Sequence, residues 1–405
     1  MAVLLVHPTG NANVRAAAQA CLEAGWLSAF HTSLGWPAVP WLPGGLRRRG
    51  YALPASLLRI HPQLEVARLL AVQAQVTPLL RHERGWLSVD RIYHHLDRAA
   101  ARSVSAGHRR NDGVKLVYAY EDGALASFQA AHGRGLTTVY ELPIGYWRYA
   151  RAIFAEEADR RPSWAPTLEG LADSPAKLAR KDAELAAAHQ VIVPSRFVEH
   201  TLRHHQGGAA PIHVVPYGGP PPLPALPQRP EPRPLRVLFV GGLSQRKGLA
   251  DLLEAVDLLG DRISLTLVGR APTAPCRPLQ QALERHVWLP SLSHGAVLEQ
   301  MRQHHVLVLP SLFEGFPLVL GEALSQGLPL IATTHAAADE LITDGLEGFV
   351  VPIRDPQAIA TRLGQLASDP NQLRAMAAAA LARAAIRGWE VYRQNLQSVL
   401  APFLA

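Results

Sequence analysis

The chain has 405 residues, 48% hydrophobic and 18% charged, which is enough for two or three cored domains and too apolar for a disordered chain. Its net charge of +7 lies in one half: residues 1–218 hold 24 Lys and Arg against 17 Asp and Glu, and the rest holds 16 against 16. Such a field draws anions, whether phosphates, nucleic acid or an anionic membrane face, and it equally fits a solvated Arg-rich surface; no nucleic-acid-binding motif accompanies it.

In chain order, MAVLLVHP reads as a strand, too short and too soon broken by His7-Pro8 to be a signal peptide. No apolar run is long enough to span a bilayer, and two cysteines, Cys21 and Cys276, exclude a disulfide framework. The expectation is a cytoplasmic chain, at most peripheral to a membrane. Asn11 or Asn13 caps a helix that stops at Gly25. The cluster Arg47-Arg48-Arg49, beside Leu46 and Tyr51, suits contact with an anionic membrane, apolar side chains entering the headgroup region. KLVYAY, LTTVYEL and HQVIVPS are further strands, and Ser195 caps RFVEHTLRHH. His200 and His204 share a face of that helix but lack the H-E-x-x-H arrangement, so no metal is expected; His94-His95 and His304-His305 read as surface pairs.

Residues 216–234, PYGGPPPLPALPQRPEPRP, are too rich in proline for a helix or an inner strand. They read as a semi-rigid linker, or else as a long surface loop. The expected division is a first domain over 1–218, a linker over 219–234, a second domain over 235–387 and a closing segment over 388–405. Beyond the linker, RVLFVGG, ISLTLVG, VLVLPS, LPLIAT and GFVVP are strands between helices such as GLADLLEAVDLL, SHGAVLEQMRQ and PLVLGEALSQG. Val, Leu and Ile runs bounded by Gly and Pro are strands buried on both faces. The pattern implies α/β architecture: two doubly wound, Rossmann-like domains with parallel sheets facing an interdomain cleft, where ligands bind beyond the carboxyl ends of the strands.

PSLFEGFPLVLGEALSQGLPLIA, from Pro310 to Ala332, places two carboxylates, Glu314 and Glu322, in an apolar setting. Burying an unpaired carboxylate is costly, so the acids either have structural partners or hold a ligand. Backbone N–H groups around Gly315–Leu318 open a helix and favour an anion, while carboxylates accept from vicinal hydroxyls. A nucleotide sugar, with hydroxyls at both ends and phosphate between, fits that layout. The alternative is that Glu314 caps the helix from outside and Glu322 is exposed. FVGGLSQRKG sets Arg246 and Lys247 before another helix, where cations are unfavourable unless an anion sits between; a solvated basic loop is the alternative. Neither a P-loop nor a G-x-G-x-x-G fingerprint is present.

VPSRF, VVPYGG, FVGGLSQRKG, LTLVG and PSLFEGFPLVLGEALSQGLPLIAT occur in the order found in the retaining GT-B glycosyltransferases of family four, also called glycosyl transferases group 1, which the chain resembles. The resemblance implies transfer of a sugar from a nucleoside diphosphate to a glycan, lipid-linked or cell-surface polysaccharide precursor, with retention, without a metal or other cofactor. It implies that Glu314 and the backbone of Gly315 and Phe316 hold donor-sugar hydroxyls, that Glu322 holds ribose hydroxyls, and that Lys247 holds the diphosphate. Gly241, Gly242 and Leu318 belong to the same donor surface, and 287–290 would face the nucleobase. The closing segment resembles the family helix that crosses back to the first domain. Two departures stand out. Gly242 replaces a family Arg, for which Arg246 could substitute, and Pro143 replaces a family His. On the acceptor side the candidates are Gly10, Asn11, Glu121, Asp122, Glu141, Tyr146 and Trp147, beside Arg148; core aromatics with a satisfied Glu are the alternative. The rival functions are a non-catalytic sugar-nucleotide-binding protein and a GT-B epimerase or phosphorylase. A phosphorylase needs a cofactor lysine, and Lys115, Lys177, Lys181 and Lys247 have no supporting motif.

Overall fold

The computed structural model describes residues 2–38, 49–110, 113–208 and 210–404. The first domain runs β1 (Val3–Val6), α1 (Ala12–Glu23), β2 (Leu27–Thr32), β3 (Leu58–Ile60), α2 (Gln63–Gln73), α3 (Thr77–Leu80), α4 (Val89–Arg110), β4 (Leu116–Tyr120), α5 (Leu125–His132), β5 (Thr137–Glu141), α6 (Trp147–Arg160), α7 (Pro175–Ala186), β6 (Gln190–Val193), α8 (Arg196–Thr201) and β7 (Ile212–Val214). These seven strands form one parallel sheet in the order β3-β2-β1-β4-β5-β6-β7, and the short strands Trp36–Pro37 and Gly50–Tyr51 pair apart from it. The second domain runs β8 (Leu235–Val240), α9 (Leu249–Leu259), β9 (Ile263–Val268), α10 (Arg277–Arg285), β10 (Val287–Leu289), α11 (His294–Gln303), β11 (Val306–Leu309), α12 (Leu318–Ser325), β12 (Leu330–Thr333), α13 (Ala338–Leu341), β13 (Gly348–Val351), α14 (Pro356–Ser368) and α15 (Pro370–Ala385), and α16 (Trp389–Leu400) closes the chain. Its parallel sheet has the order β10-β9-β8-β11-β12-β13. Central strands such as β1, β4, β11 and β12 are buried along their whole length, which is why they read as unbroken apolar runs.

In both sheets the order reverses beside the first strand, between β1 and β4 and between β8 and β11. Chains leaving two neighbouring strand ends in opposite directions open a crevice there. The segments 241–247 and 310–317 leave the second sheet at its crevice, so residues nearly seventy positions apart come together.

The chain passes between domains twice, and the two passages are bonded together: the Gly219 N–H donates to Arg387 O at 2.9 Å, and Gly219 pairs with Gly388. Helix α16 then packs on α1, where Gln397 Nε2 donates to Ala20 O (2.9 Å) and Arg393 meets Glu23 (2.9 Å). The proline-rich segment is not a free tether. Leu223 N–H donates to Ser325 O, and Arg229 reaches the carbonyls of Gln326 and Gly327 just past the end of α12. A helix end leaves carbonyls unpaired, and an arginine satisfies them. His304 and His305 are buried rather than a surface pair. His305 Nδ1 accepts from Arg236 N–H and its Nε2 lies 2.9 Å from Pro230 O, so it pins the linker to the second sheet.

Of the basic cluster, Leu46, Arg47 and Arg48 lie outside the described residues. Arg49 pairs with Glu65 at 3.1 Å. Tyr51 is 2% exposed, its ring edge-on to Phe30 and beneath the Arg15 guanidinium, so it is a core residue and does not enter a headgroup region. No helix among the described residues is long and apolar enough to cross a membrane.

Candidate active site

Strand β11 ends at Leu309, and residues 310–317 form the loop before α12. Glu314 Oε1 lies 2.6 Å from Arg246 Nη1 and 2.5 Å from Lys247 Nζ. Arg246 also donates to Phe313 O (3.0 Å), and its own carbonyl accepts Leu312 N–H (2.9 Å). Gly248 makes this junction possible. It has φ +70°, and a Cβ there would fall 1.9 Å from Pro310 O. Burial holds the Lys247 ammonium below the ordinary lysine range, and the Glu314 carboxylate opposes that shift. Two cations on one carboxylate leave a net positive charge at the strand ends. Such a constellation binds a multiply charged anion.

Further along α12, Glu322 Oε1 lies 3.0 Å from His294 Nε2, at the start of α11. The other Glu322 oxygen has no hydrogen-bond partner among the described residues, which leaves it able to accept from a diol. Just before α11 in the chain, at the edge of the second sheet, lies β10. Val287 and Trp288 there are exposed, and Trp288 Nε1 donates to Gly269 O (2.9 Å). A Cβ on Gly242 would meet nothing within 4 Å, so the place of the family Arg is open space.

The 311–317 loop meets the first domain directly. Phe313 packs edge-on to Phe154 and Phe197. Phe316 meets the Tyr217 ring edge-on. Ser195 caps α8 by accepting from Val198 N–H, and its hydroxyl hydrogen goes across to Gly315 O at 2.8 Å. A Cβ on Gly315 would sit 1.8 Å from Pro143 O. Pro143 thus forms the opposite wall at the point where the family His would stand. A second bridge holds the cation loop. Gln245 is fully buried; its Nε2 donates to Glu157 (2.8 Å) and Asp251 (3.0 Å), and its N–H to Thr167 Oγ1 (2.9 Å). Arg161 pairs with Asp251 and Arg354 with Glu157, both at 2.8 Å. All these carboxylates have cationic or amide partners, which is what lets them stay buried.

The acceptor-side candidates fare differently. Asn11 is exposed at the start of α1 and makes no side-chain cap bond. Gly10 is half-buried, its carbonyl accepting from Arg15 Nε. Asn13 instead turns inward to Tyr217 OH. Glu141 is 0% exposed and takes hydrogen bonds from Tyr118 and Tyr217, so it is a satisfied core acid and not a cleft ligand. Burial pushes its carboxyl up, against those bonds. Glu121 pairs with Lys181 at 3.1 Å, and Asp122 lies 3.7 Å from the same ammonium, so this pair serves the domain's own ion network. Tyr146 is also buried. Its hydroxyl, the Trp147 indole and the Arg148 guanidinium all donate to Asp182, and Arg148 stacks on Trp147 at 4.3 Å. Trp147 remains half-buried. His200 and His204 pack edge-on to Tyr149. Among the described residues, His82, Glu83 and Asp173 group with metal-ligand chemistry, but Lys177 Nζ also lies 3.2 Å from Asp173, and no donor-side residue belongs to the group.

Sequence reasoning did not find Gln245, Glu157, Thr167 or His294. Only His294 had a local signal, following the helix-capping Ser293 at a sheet's carboxyl side. The rest are joined by tertiary contact alone.

Two doubly wound domains, with a positively charged crevice between them, define the GT-B class. The chain matches, over residues 234–369, the family model described as glycosyl transferases group 1. It is 33% identical over 174 residues to a D-inositol 3-phosphate glycosyltransferase of Corynebacterium urealyticum, covering 38% of this chain and 39% of that protein. The chain thus matches about two fifths of the length of that relative. By structure, it is similar to sucrose-phosphate synthase from Thermosynechococcus elongatus, with a TM-score of 0.67 at 18% identity over 99% of this chain and 98% of that one. It is also similar to Anabaena HepE in complex with UDP, with a TM-score of 0.63 at 16% identity over 99% and 100%.

Proposed function

We propose that this protein transfers a sugar from a nucleoside diphosphate to a glycan-type acceptor with retention of configuration, with no metal ion in the reaction. The observation that carries the reading is the convergence of Arg246 and Lys247 on one Glu314 oxygen at the switch point of the second sheet. A diphosphate competes with that carboxylate for the same two cations. Once displaced, Glu314 is beside the sugar end and accepts from its hydroxyls, while Glu322, steadied by His294, accepts from the ribose. The nucleobase then lies along β10, near Trp288. HepE, a fold neighbour, is described with UDP, which makes uridine nucleotides the first to test.

In the transfer, the bond between the sugar C1 and the diphosphate oxygen breaks, and the acceptor hydroxyl oxygen bonds C1 on the same face. The hydroxyl proton passes to the departing diphosphate, so no protein base is required. Arg246, Lys247 and the start of α12 stabilise the charge that grows on the leaving group. Of the acceptor-side candidates Asn11 is exposed, and Gly10, Glu121, Asp122 and Trp147 are half-buried. The acceptor is a glycan or lipid-linked precursor, and the first domain's excess positive charge supports work at the face of an anionic membrane. Purified protein incubated with UDP-, GDP- and ADP-sugars tests the reading: one donor should raise the melting temperature and release its nucleoside diphosphate. Neither stabilisation nor release with any donor would sink it.

A further inference from the structure

Residues 69–80, LLAVQAQVTPLL, carry no charge, and eight of them in a row, 72–79, are exposed. A run that long without a buried position is a projection, not a flank of the core. It joins the end of α2 to α3, and Val66, Leu70, Val72, Val76 and Leu79 all lie in the open. Trp86 follows at 77% exposed, with Arg91 stacked over its ring. A soluble surface scatters single apolar residues; a contiguous set on a protruding tip marks a docking site.

The charges around the tip have one sign outward. Arg81, Arg84 and Arg91 are exposed and have no acidic partner among the described residues. The acids of the same stretch are turned in: Glu65 is held by Arg49 and Arg68, Glu83 by Ser174, and Asp90 by Lys177. An apolar tip with a basic collar and indole at its rim matches an anionic lipid monolayer, since the tip enters the acyl boundary while guanidinium groups meet phosphates. A protruding tip suits a deformable monolayer better than a flat protein face.

The tip is also well placed. Helix α2 starts just past the carboxyl end of β3. The 82–83 corner bonds to Asp173 and Ser174 at the start of α7, which runs back toward the amino end of β6. The tip therefore lies on the cleft side of the first sheet. We infer that residues 66–91 form the surface by which this protein docks on an anionic membrane, with α2, α3 and Trp86 in the headgroup layer and Arg81, Arg84 and Arg91 on lipid phosphates. This names the partner surface for the membrane-face part of the proposed function and rests on that part alone; donor chemistry is separable from it.

Co-sedimentation of the full chain with vesicles of phosphatidylcholine, alone or mixed equally with phosphatidylglycerol, tests the inference. Binding should require the anionic lipid and fall with salt. R81Q/R84Q/R91Q and, separately, L70S/W86S should each lower partitioning at least about tenfold, with the melting temperature and nucleotide binding unchanged because every substituted residue is exposed. Absence of binding to anionic vesicles at low salt overturns the inference, as does undiminished binding by both variants. A concentration-dependent dimer that L70S/W86S abolishes, without vesicle binding, would make the tip a contact between copies instead. Failure of donor turnover with intact vesicle binding would count only against the catalytic reading.

Discussion

Gly315→Ala is a small perturbation with a large expected effect. The backbone tolerates it, since Gly315 is not among the residues of positive φ. The obstacle lies across the cleft: the new Cβ falls 1.8 Å from Pro143 O, and real Cβ atoms essentially never come under 3.0 Å. The loop must withdraw by about 1.2 Å, which breaks the 2.8 Å Ser195–Gly315 hydrogen bond and drags Glu314 with it. Misplacement of about 1 Å at a reacting centre costs roughly a hundredfold in rate, or about 2.7 kcal/mol in the barrier. Nucleotide affinity should change less than about threefold, since Glu322, His294 and Trp288 stand apart from the clash. Steady-state transfer beside calorimetry with free nucleoside diphosphate reads both quantities. Wild-type kcat/KM in the variant would refute the reasoning, and so would an equal loss of nucleotide affinity.

Glu322→Ala should weaken nucleoside diphosphate binding by roughly 1.5–3 kcal/mol through loss of a charged acceptor, with His294→Ala causing a smaller loss in the same direction; calorimetry without any sugar checks both. Glu314→Gln should depress kcat more than nucleotide affinity, and comparing the free nucleotide with the complete donor shows whether the loss belongs to the sugar. Turnover should survive EDTA, and a loss restored by a divalent ion would contradict the metal-free mechanism. Burial lowers His7 from 6.5 to about 4 and His31 from 6.5 to about 3. Below pH 6.5 the unfolded chain therefore takes up protons that the folded chain refuses. Stability should fall as pH drops from 6.5 toward 4, by about 1.4 kcal/mol per pH unit per histidine, and be indifferent to these groups above 6.5. Melting temperature against pH should lose part of this slope in His7→Asn.

Composition and pattern alone determined much of this protein. Strands such as VLVL and LIAT announce themselves because a strand buried on both faces must be apolar at every position. Ser195 reads as a cap because capping is local chemistry. Glu314, Glu322, Arg246 and Lys247 stand out because each breaks a local rule: acids in an apolar setting, cations before a helix. Short or half-exposed strands escaped notice. β3 and β7 are three residues each. Partnership was the other omission. Glu141 looked available beside two aromatic residues until Tyr118 and Tyr217, from other elements, enclosed it. Tyr51 looked exposed beside three arginines until Phe30 and Arg15 covered it. Gln245 carried no signal in SQRK and is the residue through which Glu157 and Thr167 hold the cation loop. Spacing along a chain reports which face of an element a side chain takes. Whether that face meets water, a ligand or another side chain depends on contacts between residues tens or hundreds of positions apart, and only the folded arrangement of both domains decides them.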